Sequence, residues 1–428
     1  MTETGADADD AAITAAEPAT APRSLIALLA GASALGPISS LMLMPALPAI
    51  RDEFGAATAA TQSVISVFLF VFAIGIPLAG PLSDRHGRRP LLLGGIAVFF
   101  LGSLLGAWAP TLEVLVLARA VQALGCAATA TVARAVLGDI FPDWRLAGAL
   151  ATMTLVMMSG TAISPYLGGL MTERFGWHAP LMLMVVVAAV IGLAAIRGLP
   201  ETRVVREGLM SYAELGRASA GVLRNRTFVG CVIDAGVVYA IYLGFISIAP
   251  HIMSDMLGRP ATSFGLWLLL LSAGYFAGNL VVTRLKGHGD LDRVARFGNW
   301  LQAASALLAL GFVVMGFTHP VFWFGPMLPL AFAQGLLLPH VTATAVRLAP
   351  GYAGVASGLI GFSQQAIAAA TVQGMGFVDT SGPMSVLAVC AALSLVSLAA
   401  MLVLERALRA QEPGGGAPPG KPRRSARR

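Results

Sequence analysis

Few residues in this chain are placed to do chemistry, and two of them stand where an ionised side chain is expensive. Asp234 is the one carboxylate set well inside an apolar stretch, Phe228 to Ile252. Burial there disfavours its charged form, so it could take up and release a proton near neutral pH. The alternative is an interfacial carboxylate reaching back to Arg226 or to water. Arg119 lies in another apolar stretch, where an arginine costs at least about 2.5 kcal/mol even by lenient scales. It must face a polar cavity or a partner, unless its role is purely structural. Asp234 stands about 9 Å along its helix from one membrane face at about 1.5 Å per residue. Arg119 enters from the other face, so no direct pair between them is expected. His340 can titrate near neutral pH but reads as a hydrogen-bonded packing residue near a helix end. Cys126, Cys231 and Cys390 are odd in number and lack metal-ligand spacing, which suggests neither a disulfide framework nor a zinc site. The sequence holds no metal-binding cluster, nucleophile elbow, phosphate loop or ATP-binding cassette. That argues against an enzyme, a cofactor or a resident metal, and leaves a gradient as the energy source.

The elements that must position these residues follow from composition. Of 428 residues, 57% are hydrophobic and 12% charged, with a mean hydropathy of +0.77. Such a chain has lipid as its solvent. A spanning helix needs about 20 apolar residues, and runs of that kind begin near residues 24, 61, 90, 113, 146, 178, 228, 262, 295, 321, 352 and 382. The fold class is therefore an all-α polytopic membrane protein. The charged interruption from Glu201 to Arg226 divides the spans six and six. This gives bundles at 24–200 and 228–409, with a linker at 201–227 that carries a short surface helix around Ser211 to Leu215. An even number of spans per half makes the halves parallel and puts a substrate site between them near the midplane. The stretch before the first span is acidic (Glu3, Asp7, Asp9, Asp10, Glu17), unlike a secretory signal. Residues 1–23 and the basic 410–428 read as disordered tails.

The net charge of +6 follows topology and does not mark a nucleic-acid surface. Arg85, Arg88, Arg89, Arg145, Arg203, Arg206, Arg217, Arg224, Arg226, Arg284, Lys286, Arg293, Arg296 and the run from Lys421 to Arg428 fall in alternate loops or the final tail. The other loops hold Arg51, Arg174 and Arg259. By the positive-inside rule the richer loops and both termini are cytoplasmic. With only Lys286 and Lys421 among 28 basic residues, the composition suggests a bacterial source and hence the inner membrane.

Three motifs carry mechanism. Between the second and third spans stands Gly80-Pro81-Leu82-Ser83-Asp84-Arg85-His86-Gly87-Arg88-Arg89-Pro90. Gly87 can take the positive φ of a tight turn, and Pro90 suits the first turn of a helix. Asp84 can accept from helix N-terminal amides or pair with an arginine, so the loop can latch helices together. This string closely resembles the signature loop of the major facilitator superfamily. Leu117 to Gly125, with Arg134 and Asp139-Ile140-Phe141, resembles the fourth-helix motif of the drug:proton antiporters. That resemblance implicates Arg119 in proton coupling. In the fifth span Gly160, Ser164 and Gly168 form a small-residue stripe four residues apart. With Pro165 and Gly169 they resemble the antiporter motif, with Ser164 where a glycine is usual, and read as a seal and hinge. Leu199-Pro200-Glu201-Thr202, Phe245 to Pro250 and Gly335 to His340 are similar to the bicyclomycin and chloramphenicol branch.

The resemblance implies twelve helices and alternating access, with proton-coupled export of small apolar or drug-like molecules. It also implies small-molecule, proton and lipid partners and a working monomer. On helices that line the cavity in that family, Met42, Met44, Gln122, Met153, Met157, Tyr242, Phe245, Gln334, Gln364 and Gln365 are candidate substrate contacts. The chain departs from the family at Leu41, which occupies the place of a first-span acid. Asp234 is the best replacement, and an uptake or facilitative carrier on the same fold is the alternative function.

Overall fold

The computed structural model describes residues 23–202, 212–285, 291–317, 319–378 and 382–411. The tails beyond them, with Arg203, Arg206 and Lys286, lie outside the described residues. The helices are α1 (Arg23–Leu43), α2 (Leu47–Phe54), α3 (Thr58–His86), α4 (Arg88–Ala107), α5 (Leu112–Ile140), α6 (Asp143–Phe175) and α7 (His178–Gly198). They continue with α8 (Tyr212–Val222), α9 (Arg226–Leu257), α10 (Ala261–Arg284), α11 (Leu291–Val314), α12 (Val321–Arg347), α13 (Ala353–Met375) and α14 (Pro383–Gln411). Among the described residues twelve spans are long and apolar enough to cross a membrane. Their starts match the expected ones closely, the largest difference being 291 against 295. The short helix expected in the linker is α8.

Prolines and hydroxyls set the local irregularities. Pro45 and Pro48 lack the amide hydrogens an α-ladder needs, so the first span passes through a 3₁₀ turn at Met44–Ala46 between α1 and α2. In α6 Pro165 cannot serve the carbonyl of Thr161, and the hydroxyl of Ser164 donates to that oxygen instead, at 2.9 Å. A serine at this position thus supplies the bond that the proline removes, which a glycine could not do.

The halves meet along two helix pairs, α3 with α13 and α6 with α10. Numbered by span these are second with eleventh and fifth with eighth, and a shift of six spans exchanges them, as an axis along the membrane normal requires. Both seams are tight at the end where α2 points, hereafter the Arg51 face. The opposite end, carrying the Asp84–Arg88 turn, is the basic face. A Cβ on Gly169 would stand 2.6 Å from the carbonyl oxygen of Ala261, and one on Gly376 would stand 2.6 Å from the Cα of Ala59. Within the first half, a Cβ on Gly168 would collide with the carbonyl of Met42. The small-residue stripe of α6 therefore packs the bent end of α1, while its neighbour Gly169 packs α10.

Gly168→Ala is expected to force α1 and α6 apart and to destabilise by about 1–3 kcal/mol, as overpacking does. Gly354→Ala, where a Cβ meets nothing within 4 Å, serves as the control. Thermal denaturation of the two purified variants followed by size-exclusion should separate them; equal melting would refute the packing account.

Candidate functional site

Between the seams lies a cavity of about 490 Å³, lined by α1, α3, α6, α9, α10, α12 and α13. It is mostly apolar, with Tyr239, Tyr242, Tyr275, Gln334 and Gln365 supplying polar groups from the second half and Ser40, Ser159 and Thr161 from the first. Toward the basic face it is open: Leu155 is 52% exposed and Phe276 43%.

Toward the Arg51 face it is closed by bonds that cross the halves. Arg51 holds Asp255 with two hydrogen bonds, at 2.5 and 2.9 Å. Glu173 accepts from the backbone and hydroxyl of Thr262 at the start of α10, at 2.7 and 2.8 Å. Gln62 donates to the carbonyl of Ser247 at 2.9 Å, and Gln373 joins Ser66 (2.6 Å) to the carbonyl of Ala59 (2.9 Å). None of these partnerships is legible from local sequence, since each joins residues more than 85 positions apart.

Of the residues named from the sequence as substrate contacts, Met157, Tyr242, Gln334 and Gln365 line this cavity, and the others do not. Met42 follows the cavity-lining Leu41 by 100° of helix and is buried against other helices. Met44 falls in the 3₁₀ turn and is fully buried. Met153 is just over half a turn out of phase with Leu155 and packs with Leu25 and Ala149 in a separate core cluster. Phe245 packs edge-on to Phe324, 5.2 Å between centroids, in an aromatic group with Trp267 and Phe264. Gln364, one residue before Gln365 on α13, is not among the residues that line the cavity. Tyr239, missed from the sequence, stands three residues before Tyr242 on the same helix face, and that spacing could have found it.

Gln122 serves Arg119. The Arg119 guanidinium is fully buried; its Nε donates to the carbonyl of Val64 at 3.1 Å and its Nη1 to Ser39 and Gln122, both at 2.7 Å. Gln122 in turn donates to Ser103 at 2.7 Å. The guanidinium also covers the ring of Phe68, 4.1 Å from its centroid. Neutral acceptors and an aromatic face thus solvate this cation in place of a carboxylate.

Asp234 lies in the other half and does not touch Arg119 or line the cavity. It is 2% exposed and accepts from Ser397 of α14 at 2.6 Å, with Asn299 of α11 3.2 Å beyond. Of the two sequence readings, the geometry is that of a buried carboxylate and not of one reaching back to Arg226. His340 lies 3.5 Å from Asp292. The three cysteines are free and buried. Among the described residues no group of His, Cys, Asp or Glu could hold a metal ion.

At the basic face the signature turn has the predicted shape, with Gly87 at φ 101°. Asp84 pairs with Arg88 at 2.5 Å, and Arg88 also binds Asp139 of α5 at 2.9 Å and the hydroxyl of Ser83. The amides at the start of α4 go instead to Glu201, which accepts from Arg88 at 2.9 Å and Arg89 at 3.2 Å. A Cβ on Gly87 would stand 2.8 Å from that carboxylate, a second reason for glycine there. Arg89 donates to the carbonyl of Ile196 at 2.9 Å, and Arg85 lies over the ring of Tyr212 at 5.1 Å. Gly80 contributes its carbonyl to Ser83 at 2.8 Å. The described contacts of the turn tie α3, α4, α5 and the exit of α7 within one half, with α8 resting against it.

A family model described as Major Facilitator Superfamily matches residues 29–372. The chain is 27% identical over 360 residues to multidrug resistance protein D of Escherichia coli (strain K12), covering 79% of this chain and 84% of that protein. It is 27% identical over 331 residues to the multidrug transporter MdfA of Yersinia pestis bv. Antiqua (strain Angola), covering 76% and 80%. Among solved structures it resembles a crystal structure of a D-xylose-proton symporter, with a TM-score of 0.71 at 14% identity over 89% of this chain and 97% of that one.

Glu201→Ala should leave the α4 amides without their carboxylate and lower stability by about 0.5–2 kcal/mol, the range for lost helix caps. Glu201→Gln, which keeps one acceptor, should lose less. Melting temperatures in detergent rank the three proteins, and an unshifted Glu201→Ala would remove the cap from the account.

Proposed function

The chain belongs to the Major Facilitator Superfamily, a family of transporters and not of enzymes, and on that premise we propose that it is a proton-coupled exporter of small drug-like molecules. The observation that carries this reading is the largely apolar cavity between the halves, closed at one end and open at the other. The named multidrug relatives and the small-residue stripe of α6 support export. The charge asymmetry supports a cytoplasmic basic face with both termini inside, in a bacterial inner membrane. On that assignment the cavity opens inward, and the working unit of this reading is a monomer in lipid with protons as co-substrate.

Alternating access then has identifiable parts. Substrate enters from the cytoplasm between α6 and α10, and the bundles rock about the seams. The Arg51–Asp255 and Glu173–Thr262 bonds break as the outer end opens, and the break at Met44–Ala46 with the Pro165 segment forms the hinge. The Asp84–Arg88 turn keeps the first half rigid while it moves. Asp234 is the coupling carboxylate: buried with one hydrogen bond from Ser397, it is costly to leave ionised, so proton binding and release there must accompany a change in its surroundings. Arg119 anchors α3 to α5 and α1. A facilitative or uptake carrier is the second reading, favoured by Leu41, which puts an apolar side chain on the cavity wall where the resemblance calls for an acid.

Cells overexpressing the protein should accumulate less of the uncharged antibiotics to which overexpression confers resistance, and a proton-gradient uncoupler should abolish the difference. Asp234→Asn should behave like the uncoupled wild type, and an unchanged distribution in either case would rule out proton-driven export through this residue. Separately, Arg51→Ala should release the outer seal and raise outward-open occupancy. In cells carrying Ala162→Cys as a cavity reporter, labelling by an impermeant maleimide should rise several-fold; equal labelling would argue against the gate.

A further inference from the structure

The cavity's electrostatics bear on what can occupy it. Of its 24 lining residues none is Asp, Glu, Lys, Arg or His. The charges behind its walls are unequally placed. Arg119 stands directly behind the lining ring of Phe68, and among the described residues no carboxylate pairs with it; its Nη2 is buried without a hydrogen-bond partner. Asp234, the buried carboxylate of the other half, points to Ser397 and Asn299, on helices that do not line the cavity.

From this placement we infer that the cavity discriminates by charge, rejecting organic cations and accepting amphiphiles that carry no positive charge. A cation entering it leaves water without meeting a counter-charge. It also meets the field of Arg119 across a medium that screens poorly, enough for about tenfold or more in affinity. Aromatic faces can hold cations elsewhere, but Phe68 already gives one face to Arg119. Two polar groups in the wall are buried and lack partners, the hydroxyl of Ser40 in the first half and the amide oxygen of Gln365 in the second. A ligand with a hydrogen-bond donor satisfies Gln365, and one that also reaches Ser40 bridges the two halves.

The inference rests on the reading of this cavity as the substrate site, and its test does not require transport. Tetraphenylphosphonium and tetraphenylborate have the same shape and opposite charge. Their equilibrium binding to the full chain in zwitterionic nanodiscs, with empty discs subtracted, should favour the borate at least tenfold. Leu41→Glu, a carboxylate on the cavity wall, should move the ratio at least tenfold toward the phosphonium. Ser40→Asp on the same wall serves if that variant does not fold. Equal binding of the two ions, preference for the cation, binding of neither, or an unmoved ratio in the folded variants would each overturn the inference. Lost export with the ion preference intact would instead overturn the export reading.

Discussion

In hydrocarbon an unpaired peptide group costs several kcal/mol and no water is at hand to relieve it, so each departure from a regular helix needs a local remedy. The remedies organise this protein. The two prolines of the first span are absorbed by a 3₁₀ turn, and the end of α1 just before it packs against a glycine of α6. The proline of α6 leaves the Thr161 carbonyl, and the serine before it fills the vacancy. Both lie where the halves approach, so the irregular backbone and the seams between the halves coincide. Regular stretches, such as α7, hold no proline past the first turn and need no such remedy, and α7 packs against α4 and α1.

The same scarcity of water explains the two buried ions. Arg119 is dispersed over three neutral acceptors and a ring, which fixes α1, α3 and α5 around one centre. Asp234 has a hydroxyl and, beyond it, an amide. The two ions occupy separate halves, and neither lines the cavity between them, whose wall is neutral.

How much of this was legible depends on the range of the information. Span positions and the Gly87 turn are local and were read closely. Arg119 was expected in a polar setting because its burial cost is a property of one residue in one run. Two of the candidate contacts lie off the cavity wall for reasons of helical phase: Met42 is turned by one residue from Leu41, and Met44 falls in the 3₁₀ turn, where a 3.6-residue period no longer says which side a residue faces. Phe245 packs among Phe324 and its neighbours, since an aromatic side chain suits packing as well as binding. Glu201 and Arg51 were unassigned because their partners come from distant parts of the chain, and only the folded backbone brings them into reach.

The paired seams have a mechanical consequence. The two seams flank the cavity and are both closest at the same end, so the halves are held together on either side of the void there. Sideways shear would drag Gly169 across the Ala261 carbonyl and Gly376 across Ala59, contacts with no slack. The glycines that look like mere packing thus set how closely the two halves approach at this end, and any side chain in their place would hold the halves apart.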